Sequence, residues 1–274
     1  MLEDNFMYVI RKTLRALELA PAEAASRAGL DGAAVLDLLA GRWDEPSART
    51  LAPILGLDAD ALAAHPGYEP PPCDHPAIRR LDLPFGDDEQ VNAWLIDTGD
   101  GKLLIDAGCD AASLKAAIEE TSGLEEIRHV IITHDHRDHV GGLGLSRDRG
   151  VPVHGPGSGK AWHELRPGGL LGCGDLQLTA HDLAGHADPA IGLSIRGLDV
   201  PVLAVGDALF AGSMGGCAGW DAYQLAHQTL RAALDGRPGA TILLPGHGPA
   251  TRLDSEWKSN PFLAGDRGGI GGGE

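Results

Sequence analysis

Apolar residues recur at helical spacing through residues 1–65 and then gather into short continuous runs, the pattern of strands. Leu14 and Leu17 sit on a first helix that ends near Ala20 or Pro21. Pro21 to Ala28 reads as a second helix, stopped by Gly29. Asp31 is placed to N-cap a third, which carries Val35, Leu36, Leu38 and Leu39 and stops at Gly41. Ser47 can cap a fourth, through Leu51, Ile54 and Leu55 to Gly56, and Asp58 a short fifth through Leu62. Residues 1–65 therefore read as a small all-α domain.

A proline-rich linker follows at 66–76. From 77 to 264 strands and helices alternate. Ile78 to Leu83 and Val91 to Asp97 read as strands, and Thr98-Gly99-Asp100-Gly101 turns the chain into a third, Lys102 to Asp106. Ala111 to Thr121 has helical period. Residues 127–132 form a buried strand and Val151 to His154 a short one, with a helix expected from Ser158 to Leu165. Leu176 to Leu178, Ile191 to Ile195 and Val202 to Val205 read as strands. A glycine-rich loop then leads to an amphipathic helix from Asp221 to Leu234, and Thr241 to Leu244 is the last strand. Early hairpins followed by helices suit an α/β fold in which helices cover two mixed sheets, an αβ/βα sandwich. Residues 265–274 hold six glycines and are expected to be disordered.

Charge narrows the partners. The 274 residues carry 39 acidic and 22 basic side chains, a formal net charge of −17. Such a surface repels nucleic acid and anionic lipid, so the expected partner is a small-molecule substrate. Cys73, Cys109, Cys173 and Cys217 lie far apart with no CxxC pair, as reduced thiols of a cytoplasmic protein do. Met1 to Asn5 has no basic leader region and no apolar run reaches spanning length, so a cytoplasmic chain without membrane contact is expected.

The chemistry concentrates in Thr133-His134-Asp135-His136-Arg137-Asp138-His139, between the apolar run His129 to Ile132 and the turn Gly141-Gly142. Neutral imidazole and carboxylate are ligands of borderline divalent ions such as zinc, iron and manganese. His134 and His136 are two residues apart and can point to one side of an extended backbone. Asp138 and His139, on the next bend, can reach a second position. Seven residues cannot close two coordination spheres, so further ligands are expected at later strand ends. Gly185-His186, Gly206-Asp207 and Gly246-His247-Gly248 offer them, each with a glycine that lets the backbone pass close to an ion. His154, His163, His181 and His227 lack ligand spacing and read as surface or core histidines.

This ordered set resembles the metallo-β-lactamase-fold hydrolases, whose dinuclear THxHxDH signature is matched in full at Thr133 to His139. It is most similar to the glyoxalase II (hydroxyacylglutathione hydrolase) and persulfide dioxygenase branch, over roughly residues 76 to 264. The resemblance implies two divalent metal ions, zinc first and iron or manganese as alternatives. It implies that His134, His136 and His186 hold the first ion, that Asp138, His139 and His247 hold the second, and that Asp207 bridges them. Asp106 would support the ligands from behind. The implied reaction is attack by a metal-bridging hydroxide on a thioester of the hydroxyacylglutathione type, with Asp138 also orienting the water. Two positions depart from the family. The loop Ala211 to Cys217 lacks its basic residue, and Asn260-Pro261-Phe262-Leu263 is followed by Ala264 instead of arginine. Alternatives are a mononuclear iron persulfide dioxygenase and a lactonase with Tyr223 as electrophile.

The five helices resemble the helix-turn-helix domain of phage-repressor-like regulators. A recognition helix needs long basic or amide side chains. The stretch Asp31 to Ala40 offers Asp31, Asp37 and alanines, and residues 1–65 hold six basic against ten acidic side chains. The non-enzymatic alternative is a metal-sensing regulator whose helices bind DNA, and the acidic recognition stretch argues against it. The expected use of the helices is packing against the catalytic domain or making a homodimer, and their removal is expected to leave the chemistry intact.

Overall fold

A computed structural model of the chain describes residues 1–86, 89–158, 160 and 162–265. The expected disordered tail lies outside the described residues from 266 onward. Five helices come first: α1 Phe6–Ala16, α2 Pro21–Ala28, α3 Gly32–Leu39, α4 Glu45–Leu51 and α5 Ala59–Ala64. Their starts are set by short polar side chains that take the orphan amides of the first turn. Asn5 accepts from Met7 N and Tyr8 N, Asp31 from Ala33 N, and Asp58 from Ala61 N. The cap of α4 is Asp44, not Ser47; its carboxylate accepts from Ser47 N at 2.9 Å. With that cap Pro46 falls in the first turn, where its missing N–H breaks no bond. The fourth segment also tightens into a 3₁₀ turn at Ala52–Leu55, around Pro53.

The helices bury Val9, Ile10, Val35, Leu38, Leu51 and Leu55 together. That cluster does not stop at the helical layer. It continues into Met214, Cys217, Tyr223, Ala226 and Phe262 of the later chain.

Among the described residues the rest forms two six-stranded sheets. The first is built from β1 Ile78–Phe85, β2 Glu89–Asp97, β3 Lys102–Ile105, β4 Ile127–Ile131, β5 Val153–Gly155 and β6 His163–Glu164, in that order. The second holds β7 Leu170–Cys173, β8 Leu176–Asp182, β9 Ile191–Arg196, β10 Val202–Gly206, β11 Ile242–Pro245 and β12 Thr251–Arg252, again in spatial sequence. The helices between them are α6 Ala111–Glu119, α7 Arg137–Val140, α8 Leu143–Asp148, α9 Trp220–Leu234 and α10 Leu253–Ser259. The inner faces meet through Trp94, Ile96, Ile131, Leu178, Leu193 and Leu244. Outside the first sheet, Leu81, Leu95 and Val130 pack on Leu114 and Ile118 of α6. Outside the second, Leu203 and Leu243 pack on Leu230 and Leu234 of α9. This is the expected αβ/βα sandwich. Strand β10 is buried at every position because both its faces are covered.

The helix expected from Ser158 to Leu165 is corrected. His163–Glu164 is instead a strand, parallel to β5 with His154 opposite His163. The run was too short for its apolar spacing to separate helix from strand, and an open parallel edge was there to pair with.

Sheet directions bring the ligand-bearing ends together. β3 and β4 are parallel, as are β10 and β11, and β8 runs in the direction of β10 through the antiparallel β9. Their C-terminal ends therefore lead to Asp106, Thr133, Asp207, His247 and His186 on one rim of the sandwich.

Candidate metal centre

The rim gathers the seven side chains that the sequence singled out. Among the described residues three groups of donor atoms converge: His134, His136 and His186; His134, His139 and Asp207; and Asp138, His139 and His247. Asp207 stands between the two outer sets. Its Oδ1 lies 3.3 Å from His139 Nε2, and its Oδ2 lies 3.5 Å from His186 Nε2 and 3.6 Å from His247 Nε2. Asp138 Oδ2 lies 3.2 Å from His247 Nε2 and 3.6 Å from His139 Nε2. Two donors each about 2.1 Å from one tetrahedral ion stand about 3.4 Å apart. The observed separations have that size.

The donor set also fails to satisfy itself. His134 Nε2, His139 Nε2 and Asp207 Oδ1 are buried and have no hydrogen-bond partner. Buried polar atoms are normally paired, so orphans that face one another suit a bound cation. The residues fit divalent ions on this ground alone.

The far side of each ring is held. His139 Nδ1 donates to Asp106 Oδ2 at 2.9 Å and His247 Nδ1 to the Gln90 carbonyl at 2.9 Å. His186 Nδ1 donates to the Gly216 carbonyl at 2.8 Å. His134 Nδ1 lies 3.1 Å from Thr133 Oγ1, which donates to Asp106 Oδ2 at 2.8 Å. These bonds fix the tautomers that turn Nε2 inward. His136 is the exception and presents Nδ1, 3.1 Å from His186 Nε2. It is exposed, whereas His134 and His139 are buried, so the centre opens to solvent on the His136 side.

Burial drives the His134 pKa down to about 2, leaving a neutral ring with a free lone pair. Burial also opposes a charge on His139, but the carboxylates of Asp207 and Asp106 outweigh it and raise that pKa. His247 is raised to about 9: burial lowers it, and Asp138 and Asp207 more than compensate. Asp207 is buried, which favours its neutral form, yet the surrounding imidazoles hold its pKa well below the carboxylate range. Cations of some kind are what this cluster of carboxylates demands.

Close approach explains two glycines. A Cβ at Gly246 would stand 2.0 Å from Asp207 Oδ1, and one at Gly215 would stand 1.9 Å from Asp207 O.

Matching with known families gives one clear result: the model of the Metallo-beta-lactamase superfamily fits residues 86–247. The chain belongs to the metallo-beta-lactamase superfamily. Its relatives include the probable metallo-hydrolase YqgX of Bacillus subtilis, 26% identical over 204 residues, which are 64% of this chain and 93% of that protein. The hydroxyacylglutathione hydrolase of Klebsiella pneumoniae is 28% identical over 174 residues, 61% of this chain and 64% of that protein. Among solved structures, TTHA1623 in a di-iron-bound form is similar at a TM-score of 0.53 and 27% identity, over 66% of this chain and 99% of that one.

Tyr223 is not brought among the seven. It is buried, and its ring packs on Trp220, His227 and Phe262 in the seam with the helical layer. The groups that sequence reasoning missed are mostly main-chain atoms, the carbonyls of Gln90 and Gly216, which no side-chain pattern signals.

Proposed function

We propose that this superfamily member is a two-ion hydrolase that cleaves thioesters of the hydroxyacylglutathione type. One observation carries the two-ion part: a single buried carboxylate, Asp207, stands 3.3 to 3.6 Å from histidines of two separate triads. His134, His136 and His186 would hold one ion and Asp138, His139 and His247 the other. Bound there, the ions would supply a water acidic enough to act as nucleophile near neutral pH and a Lewis acid for the carbonyl oxygen.

The chain's own residues do the rest. Asp207 would fix the spacing of the two ligand sets. Asp138, whose side chain is 13% exposed, is the carboxylate open enough to orient an incoming water and take its proton. The open His136 side would admit the acyl carbon.

The thioester part is supported by the 28% identical hydroxyacylglutathione hydrolase. The Asn260 to Leu263 segment gives no separate support. Asn260 is fully buried and its amide donates to Ser213 O at 2.9 Å and Glu256 Oε2 at 2.8 Å, so its role is to lock the loop after Asp207. Recognition of a thiol carrier would have to use other side chains.

Elemental analysis together with a substrate panel tests the reading. Two ions per chain and release of free thiol from S-hydroxyacylglutathione are expected. One iron per chain with oxygen uptake on glutathione persulfide would replace the hydrolase by a dioxygenase. Two ions with turnover of lactones alone would keep the centre and discard the thioester.

A further inference from the structure

The loop between β10 and α9 touches the metal centre twice. Its Gly216 carbonyl takes the hydrogen bond of His186 Nδ1 at 2.8 Å. At Gly215 a Cβ would lie 1.9 Å from the Asp207 carbonyl oxygen and 2.9 Å from His186 Nδ1. The position of this loop therefore sets the aim of His186. The loop has little regular structure of its own, a single bridge between Phe210 and Ser213, so outside groups must hold it.

One holder is α10. Glu256 accepts from Gly212 N at 2.9 Å, and Asn260 donates to Ser213 O. The other is the N-terminal helical layer. Ser213 Oγ donates to Asp4 Oδ2 at 2.6 Å. Lys12 Nζ donates to Met214 O at 2.7 Å and pairs with Asp4. His65 Nε2 donates to Gly212 O at 3.0 Å. Asp4 is 6% exposed and Ser213 fully buried, so each of these bonds is costly to leave unmade.

We infer that Asp4, with Lys12, is a positioning residue of the metal centre, acting through Ser213 to Gly216 on His186. The inference rests on the two-ion reading. The other triad makes its hydrogen bonds elsewhere, His139 to Asp106 and His247 to the Gln90 carbonyl. The N-terminal segment meets it through Glu3 Oε1, 4.0 Å from His247 Nδ1, a longer contact than the bonds of Asp4 and Lys12 to the loop. Loosening Asp4 therefore weakens the ion on His134, His136 and His186 more than its neighbour. This runs against the expectation that residues 1–65 are dispensable for the chemistry.

The test uses the full chain, stripped by a chelator and refilled with zinc in competition with a chromophoric chelator, then with cobalt(II) followed by visible absorption. In Asp4→Asn and Ser213→Ala one of the two equivalents should bind about 10- to 100-fold more weakly, with an altered cobalt spectrum, while the other stays near wild type. If Asp4→Asn does not fold, the double variant Asp4→Asn/Lys12→Met removes both charges together and gives the same reading. His186→Ala should lose the same equivalent, and adding Asp4→Asn to it should change the remaining one no further. Asp44→Ala, which strips the cap of α4, should lower the melting temperature and leave both affinities alone. Wild-type affinities in Asp4→Asn and Ser213→Ala would overturn the inference, as would an equal loss in Asp44→Ala. A wild-type chain that takes up fewer than two ions would overturn the two-ion reading instead.

Discussion

Asp106 accepts the hydrogen bond of His139 Nδ1 at 2.9 Å while its own backbone is held left-handed, at φ 62°. The same carboxylate takes Thr133 N at 2.8 Å and the Thr133 hydroxyl. One buried side chain thus braces both the ring of His139 and the turn that delivers His134. A non-glycine residue at positive φ is strained, and aspartate and asparagine bear that strain best. Asp106→Asn should therefore keep the turn, lose the charge behind His139, and weaken zinc binding about 10- to 100-fold. Asp106→Ala should add a lower melting temperature. An unchanged zinc titration in both variants would remove Asp106 from the centre.

The two triads should be separable by ligand removal. His136→Ala takes a donor from one set only, and His247→Ala from the other only. On the proposed two-ion reading each should reduce the metal content from two ions to about one and bring thioester turnover down to the background rate, because both ions would then be needed to supply the nucleophile and the Lewis acid. Asp207→Ala removes a donor from both sets and should empty the centre. Retention of two ions by Asp207→Ala would show that the carboxylate bridges nothing.

Gly246 tests the fit without touching a ligand atom. Its missing Cβ leaves the space that Asp207 Oδ1 occupies, 2.0 Å from where that carbon would be. Gly246→Ala must push Asp207 or the β11 turn aside. We expect about one ion lost per chain and at least tenfold lower turnover, roughly the penalty of a misplaced ligand or supporting group. A fully loaded, fully active Gly246→Ala chain would mean that the turn yields freely.

Much of this arrangement was legible in the sequence, for local reasons. The helix Pro21–Ala28 and the cap at Asp31 fell where proline, aspartate and glycine put them, since those residues act through the nearest backbone. All seven expected metal-ligating side chains lie on one rim because His134, His136, His186, Asp207 and His247 come from the turns after strand ends, and Asp138 and His139 from α7, the single helical turn that follows β4. Strand β7 was missed although its signal was present: Gly174-Asp175 is a two-residue turn between apolar runs, and Cys173 lies opposite Leu176. What the sequence hid is long-range. Nothing near Asp4 or Ser213 shows that residues more than two hundred positions apart share a hydrogen bond. The amphipathic helix at Asp221 to Leu234 likewise did not reveal that Tyr223 and Ala226 face the helical layer while Leu230 and Leu234 face the sheet.

That seam contains the clearest pH dependence outside the metal ligands. His227 is 5% exposed, its ring packs on Tyr223 and Phe262, and neither ring nitrogen has a hydrogen-bond partner. Burial, with the Arg231 charge nearby, lowers its pKa from 6.5 to about 4. A histidine whose folded pKa is depressed leaves stability intact above the unfolded value and withdraws it as pH falls from there toward the folded value. The window is therefore about pH 6.5 down to 4, and the full loss below it is about 3 kcal/mol at 1.36 kcal/mol per pKa unit. His227→Leu removes the titrating group and fills the same apolar site. At pH 7 it should be as stable as wild type or slightly more so, since two unpaired buried nitrogens go with it. Toward pH 4 its advantage should grow to about 3 kcal/mol, read as a widening gap between the urea midpoints of the two proteins. Midpoints that fall in parallel from pH 7 to 4 would show that His227 is protonated without cost and that the seam opens to water as the pH drops.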